Sequence, residues 1–156
     1  MYNHAPTNYQ CPICLAINGI ENEQTYIRQT DIFFKDELIV GFIGSKFIKG
    51  NEGNPIIVPT HHFENLYDLP AESAHHLMGV ARNVAIALKV ARRCDGVTVL
   101  QNNEPAGDQH AFHYHMHLFP RFDGDNFHEE LQQPVLSDPA DRTPFAQTLR
   151  EILVRK

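Results

Sequence analysis

Between positions 113 and 119 the chain reads His113-Tyr114-His115-Met116-His117-Leu118-Phe119. On a strand, this period-two alternation puts three imidazoles on one face and Tyr114, Met116 and Leu118 on the other. Three chemistries are open to such a face. The histidines can be a satisfied structural cluster, or three ligands of a catalytic zinc. In the third, one imidazole is a nucleophile that its neighbours orient. The preceding stretch, Gln101 to His110, is rich in side-chain amides and contains Gly107. Such a loop can surround a phosphate with side-chain and backbone N–H donors, whereas a metal hydrolase would more often add carboxylates. A phosphate cradle beside an exposed imidazole points to phosphoryl or nucleotidyl transfer. A second constellation is Cys11-Pro12-Ile13-Cys14, which by itself is either half a metal site or a redox pair.

The elements that must position these residues follow from periodicity. Thr25 to Ile27, Ile32 to Phe34 and Leu38 to Ile43 read as strands, the latter two joined by a tight turn at Lys35-Asp36-Glu37. Gly44 to Asn54 reads as a loop, and Ile56-Ile57-Val58 as a short strand stopped by Pro59. Leu77, Val80, Ala81, Val84, Leu88 and Ala91 recur at helical spacing, predicting one long helix over 71–93, with Pro70 at its start and Asp95-Gly96 at its stop. Val97 to Leu100 and His113 to Phe119 read as strands. Residues 122–141 read as an extended tail, and Thr143-Pro144-Phe145 opens a last helix. The fold class is therefore α+β: an antiparallel sheet with one long helix packed across it and a C-terminal helix.

At 156 residues the chain suits one domain. A net charge of −6 with thinly scattered Lys and Arg excludes the basic patch that grips a nucleic-acid backbone. No apolar run approaches the ~20 residues of a membrane span, and the N-terminus lacks the pattern of a secretory signal. Three cysteines argue against a disulfide framework. These readings describe a cytoplasmic protein with no nucleic-acid or membrane partner.

The stretch 113–119, with Asn102, Asn103 and Gln109 before it and Pro120-Arg121-Phe122 after it, resembles the signature of the HIT (histidine-triad) family. The segment from Ile56 to Leu66 and the C-x-x-C at Cys11 and Cys14 extend the likeness, pointing to the family's zinc-containing bacterial branch. The resemblance implies a HIT-like domain over residues 11–122, after a flexible N-terminus at 1–10. Residues 123–156, with the terminal helix, extend the same domain. It implies that His115 attacks the α-phosphorus of a nucleotide, giving a nucleotidyl-histidine that water resolves, with His117 beside the phosphate. Asn102, Gln109 and His110 fall at phosphate-contacting positions, and Asn and Gln there can also simply cap a loop. Structural zinc would be held by Cys11, Cys14, His62 and His113, with His61 the near rival of His62. A homodimer is also implied.

Three positions depart from the family pattern. Gly44-Ser45 stands where an acid usually holds the ribose hydroxyls, Asp108 where a glycine precedes the Gln, and His110 where a Ser or Thr is usual. Two further readings are a nucleotide-binding regulatory module with little turnover and a hydrolase whose zinc sits on the face of His113, His115 and His117.

Overall fold

The computed structural model describes residues 2–154. In chain order its regular elements are α1 (Pro12–Ile17), β1 (Ile32–Lys35), β2 (Ile39–Ile43), β3 (Lys46–Phe47), β4 (Pro55–Pro59), α2 (Ala71–Arg92), β5 (Gly96–Gln101), β6 (Met116–Arg121), α3 (Phe127–Glu130), β7 (Val135–Leu136) and α4 (Pro139–Val154). The main sheet has the spatial order β1-β2-β4-β6-β5, antiparallel at every neighbour, and β3 pairs with β7 in a separate ribbon. This is the α+β architecture that the pattern predicts.

Alternation along the central strands assigns the two faces. Ile39 and Ile43 of β2, Ile57 of β4, and Met116 and Leu118 of β6 form one core with Leu77, Val80, Ala81, Val84, Ala87 and Leu88 of α2 and Ala146 and Leu149 of α4. Each fully buried aliphatic side chain of this kind contributes about 1.5–3 kcal/mol. On the opposite face Val40, Phe42 and Val58 pack with Ile13, Ala16 and Ile17 of α1. Gly41 is required by this packing, since a Cβ there would lie 2.6 Å from the Phe33 ring. Prolines open and close β4, where a missing N–H leaves no gap in the middle of the ladder. No helix among the described residues is long and apolar enough to cross a membrane.

The structure departs from the periodicity in three places. Thr25 to Ile27 is not a strand. The Tyr26 carbonyl accepts from Arg142 Nη2 at 2.8 Å and the Thr25 carbonyl from Arg28 Nη1 at 2.7 Å, so side chains replace a neighbouring strand. The histidine-bearing strand begins at Met116, not His113. Its partners there are Ile57 and Gln101, and two residues farther along β4 stands Pro59, which has no N–H to offer. Finally, residues 122–141 are not a plain tail: they contain α3, β7 and the start of α4 at Pro139, four residues before the predicted opening. Pro144 lies inside α4, and Thr143 and Thr148 turn their hydroxyls back onto the carbonyls of Pro139 and Pro144.

The first residues lie against the loops beside the sheet. Asn65 Nδ2 donates to the Tyr2 carbonyl at 3.1 Å, His4 Nε2 is 2.9 Å from Glu104 Oε2, and Tyr9 stacks edge-on against Phe112. Met1 and residues 155–156 fall outside the described residues.

Candidate functional site

Cys11 caps the N-terminus of α1, and its sulfur accepts from the Cys14 N–H at 3.4 Å. Pro12, in the first turn, suits that position because its missing N–H would have no helical partner. The turn brings both sulfurs to one point. His62, three residues beyond β4, and His113, three before β6, arrive there from the sheet. Cys14 Sγ lies 3.3 Å from His62 Nδ1 and 3.4 Å from His113 Nδ1, and Cys11 Sγ lies 3.4 Å from His113 Nδ1. All four donor atoms fall within 4.8 Å of one another. A tetrahedral zinc with bonds of about 2.3 Å to sulfur and about 2.0 Å to nitrogen has sulfur–nitrogen edges of about 3.5 Å. The spacing fits that ion, and two thiolates with two imidazoles are a donor set it favours.

The buried His113 ring is oriented from its far side, where Nε2–H donates to the Pro59 carbonyl at 3.0 Å. Its Nδ1 lone pair is thereby turned to the sulfurs, as a ligand's must be. The adjacent Cys14 side chain holds Cys11 well below the usual thiol range, and Cys11 in turn, with burial, pushes Cys14 up. His61 is exposed and outside this group.

His115 follows two residues on. Its Nδ1 is 2.7 Å from the His113 carbonyl. A carbonyl only accepts, so Nδ1 carries the proton and Nε2 keeps its lone pair. Burial among protein atoms pushes the His115 pKa below the ordinary imidazole value. His117 packs edge-on to His115 with ring centroids 5.1 Å apart, and stacks on Phe119 with an interplanar angle of 6°. Burial, then the neighbouring His115, brings its pKa down to about 3. Both rings are neutral at physiological pH. The three triad rings do not converge on one point, because His113 turns to the sulfurs while His115 binds backbone.

The amide-rich loop folds around Gln109. That side chain is 2% exposed, accepting from the Glu104 N–H at 2.7 Å and donating to the Glu64 carbonyl at 2.6 Å. Both ends of the amide hold backbone groups, so Gln109 braces the loop. Asn103 is committed likewise, to Leu66 and Gln101. Asn102 donates to the Asp108 carbonyl at 3.2 Å and remains half-buried, while Asp108 and His110 are exposed. Glu104 and Asp108 both adopt positive φ, 63° and 64°, which non-glycine residues do at a cost.

Gly44 is closely covered: a Cβ would lie 2.8 Å from Asn54 Nδ2 and 3.1 Å from Ile56 Cδ1, so any side chain at this position, an acid included, must push the Asn54 amide aside. Asn54, which the sequence reading passed over, is 1% exposed and its Nδ2 lies 3.5 Å from His117 Nδ1. A polar residue directly before a buried strand was the one signal that could have marked it.

Residues 28–124 match the HIT domain. A Bacillus subtilis protein named Protein hit is 30% identical over 95 residues, which are 60% of this chain and 64% of that one. An adenosine 5'-monophosphoramidase of Saccharomyces cerevisiae is 34% identical over 94 residues, 60% of this chain and 53% of that enzyme. The chain thus spans less than two thirds of either relative. Among solved structures, a zinc-bound histidine triad family protein from Mycobacterium smegmatis superimposes with a TM-score of 0.73 at 25% identity, covering 94% of each chain. With a match over more than half its length, this chain belongs to the HIT family.

Proposed function

We propose that this protein hydrolyses or transfers a nucleotide, or a similar phosphate ester or phosphoramidate, through a covalent intermediate on His115. The observation that carries this reading is the bond from His115 Nδ1–H to the His113 carbonyl. It leaves Nε2 with the uncharged lone pair that attack on phosphorus needs. As the Nε2–P bond forms, the bond from phosphorus to the leaving oxygen or nitrogen breaks, and the leaving group departs with that electron pair and takes a proton from solvent water. Water or a second acceptor then displaces the imidazole. Neutral His117 and Asn102, with His110 at the rim, surround the phosphate oxygens, and Gln109 acts by holding their loop.

Cys11, Cys14, His62 and His113 would hold zinc, whose part is to fasten α1 to the two histidine segments. The resulting chain of support is short, because His113 would bind the ion through its ring and His115 through its carbonyl. A metal on the triad face draws no support from His113, whose ring is turned to the sulfurs. A homodimer belongs to the same proposal. It is supported by β5, whose outer edge is unpaired among the described residues. A cytoplasmic setting is supported by three unpaired cysteines.

The test is intact-protein mass after brief mixing with nucleoside phosphoramidates, dinucleoside polyphosphates and nucleotide sugars. A nucleotidyl adduct present in the wild type and absent from His115→Ala is expected. Tight nucleotide binding with neither adduct nor turnover would replace this reading with that of a binding module, for which the closed position at Gly44 is the favouring observation.

A further inference from the structure

His117 can help a phosphate only if it presents an N–H to it, and a neutral imidazole has one N–H to place on either of two nitrogens. The ring plane is already held, stacked on Phe119 at 5.4 Å and edge-on to His115 at 5.1 Å. What remains to be chosen is the tautomer. The hydrogen-bond partner of His117 is Asn54, whose Nδ2 stands 3.5 Å from Nδ1.

We propose that Asn54 is a positioning residue for His117: its amide N–H donates to Nδ1, holds the ring in the Nε2–H tautomer, and so aims a donor at the substrate phosphate. Asn54 sits directly before β4, and its own carbonyl accepts from the Gly44 N–H at 2.9 Å, closing the 44–54 loop. Its Oδ1 is buried with no partner among the described residues. Turning the amide over would strand the NH2 group instead, and orphan donors are rarer in folded proteins than under-satisfied carbonyl oxygens. Gly44 is the other half of the device, because any side chain there would drive into the Asn54 amide. The low pKa of His117 agrees, since a ring that stays neutral keeps a single tautomer question open across the working pH range. The catalytic consequence rests on the reading of His115 as nucleophile, whereas the tautomer itself does not.

The test uses 15N-labelled, zinc-loaded full-length protein and two-bond nitrogen–proton correlations of the imidazoles, with His117 assigned by its loss in His117→Gln. Wild type is expected to show His117 as Nε2–H. Asn54→Leu removes the donor and is expected to move the signal toward Nδ1–H. At pH values where its carboxylate is ionised, Asn54→Asp presents an acceptor and is expected to complete that inversion. On an accepted substrate, Asn54→Leu lowers kcat by about 100-fold, the low end of what one proton-handling side chain contributes, with KM little changed. Should these variants fail to fold, Gly44→Ala disturbs the same contact and shifts the tautomer in the same direction. Wild-type His117 found as Nδ1–H overturns the proposal without any variant. So does Asn54→Leu with a lowered Tm but unchanged tautomer and kcat, which is the signature of packing alone. A protein that turns over nothing would sink the proposed function while the tautomer measurement still decides this one.

Discussion

His113 serves two neighbours at once, offering its ring to the cysteines and its carbonyl to His115. Removing one thiolate should therefore reach His115 through a single residue. Cys11→Ser is expected to lose bound zinc, measured as metal per protein, and to lower Tm, with activity falling as a consequence. A serine variant that keeps its metal would exclude this cluster as the zinc site. A second residue-scale prediction concerns Asp125. Arg121 grips it with two bonds, Nε to Oδ2 at 2.8 Å and Nη2 to Oδ1 at 2.6 Å, and the Phe122 N–H and Asn51 Nδ2 add to them. The Arg121 hydrogen bonds, foremost, hold its carboxyl well below the usual range. A depressed carboxyl stabilises the fold above its unfolded value of about 3.9 and stops doing so as pH falls through the folded value. Asp125→Asn should thus lower Tm at neutral pH, and the gap to wild type should shrink progressively below about pH 4.

At the scale of elements, the C-terminal helix is fastened by charge as well as by its apolar face. Arg142 of α4 is 1% exposed and binds Asp31 at 2.9 Å, the Ser137 carbonyl at 2.6 Å and the Tyr26 carbonyl at 2.8 Å. Arg142→Met would leave Asp31 buried without its cation, at a cost of about 3–5 kcal/mol. Urea denaturation checks this, and the double change with Asp31→Leu should recover part of the loss. Farther along the helix, Arg150 donates to the Ile32 and Thr30 carbonyls and so covers the outer edge of β1. The Arg142 bond to the Tyr26 carbonyl, with that from Arg28 to the Thr25 carbonyl, is what keeps Thr25 to Ile27, apolar enough to read as a strand, irregular.

Over the whole molecule the two edges of the sheet differ. β1 is covered by α4, while the outer edge of β5 is unpaired among the described residues, with Val99 51% exposed, and α2 also exposes the apolar Met78, Ile86 and Val90. An unpaired edge strand with exposed apolar side chains is a template for a second copy. Val99→Lys is expected to shift a dimer toward monomer in sedimentation velocity while leaving the fold unchanged by circular dichroism. A wild type that sediments as a monomer at all concentrations would end the homodimer proposal.

Much of this protein was legible from local order. The alternation of His113, His115 and His117 with apolar residues, the C-x-x-C and the helical period from Leu77 to Ala91 are short-range patterns, and they sufficed for the fold class. The meeting of Cys11 and Cys14 with His62 and His113 was implied only by the family resemblance. Tertiary structure decided how the polar side chains are used. Gln109 faces the Glu64 carbonyl 45 residues away, and Asn54 meets His117 across 63 residues. An amide reads the same in sequence whether it faces a phosphate or a backbone carbonyl, because its partner is chosen only when distant strands are brought into register. The β4–β6 ladder that ends at Ile57 and Met116, and with it the freedom of His113 to turn toward the cysteines, was settled by that same pairing.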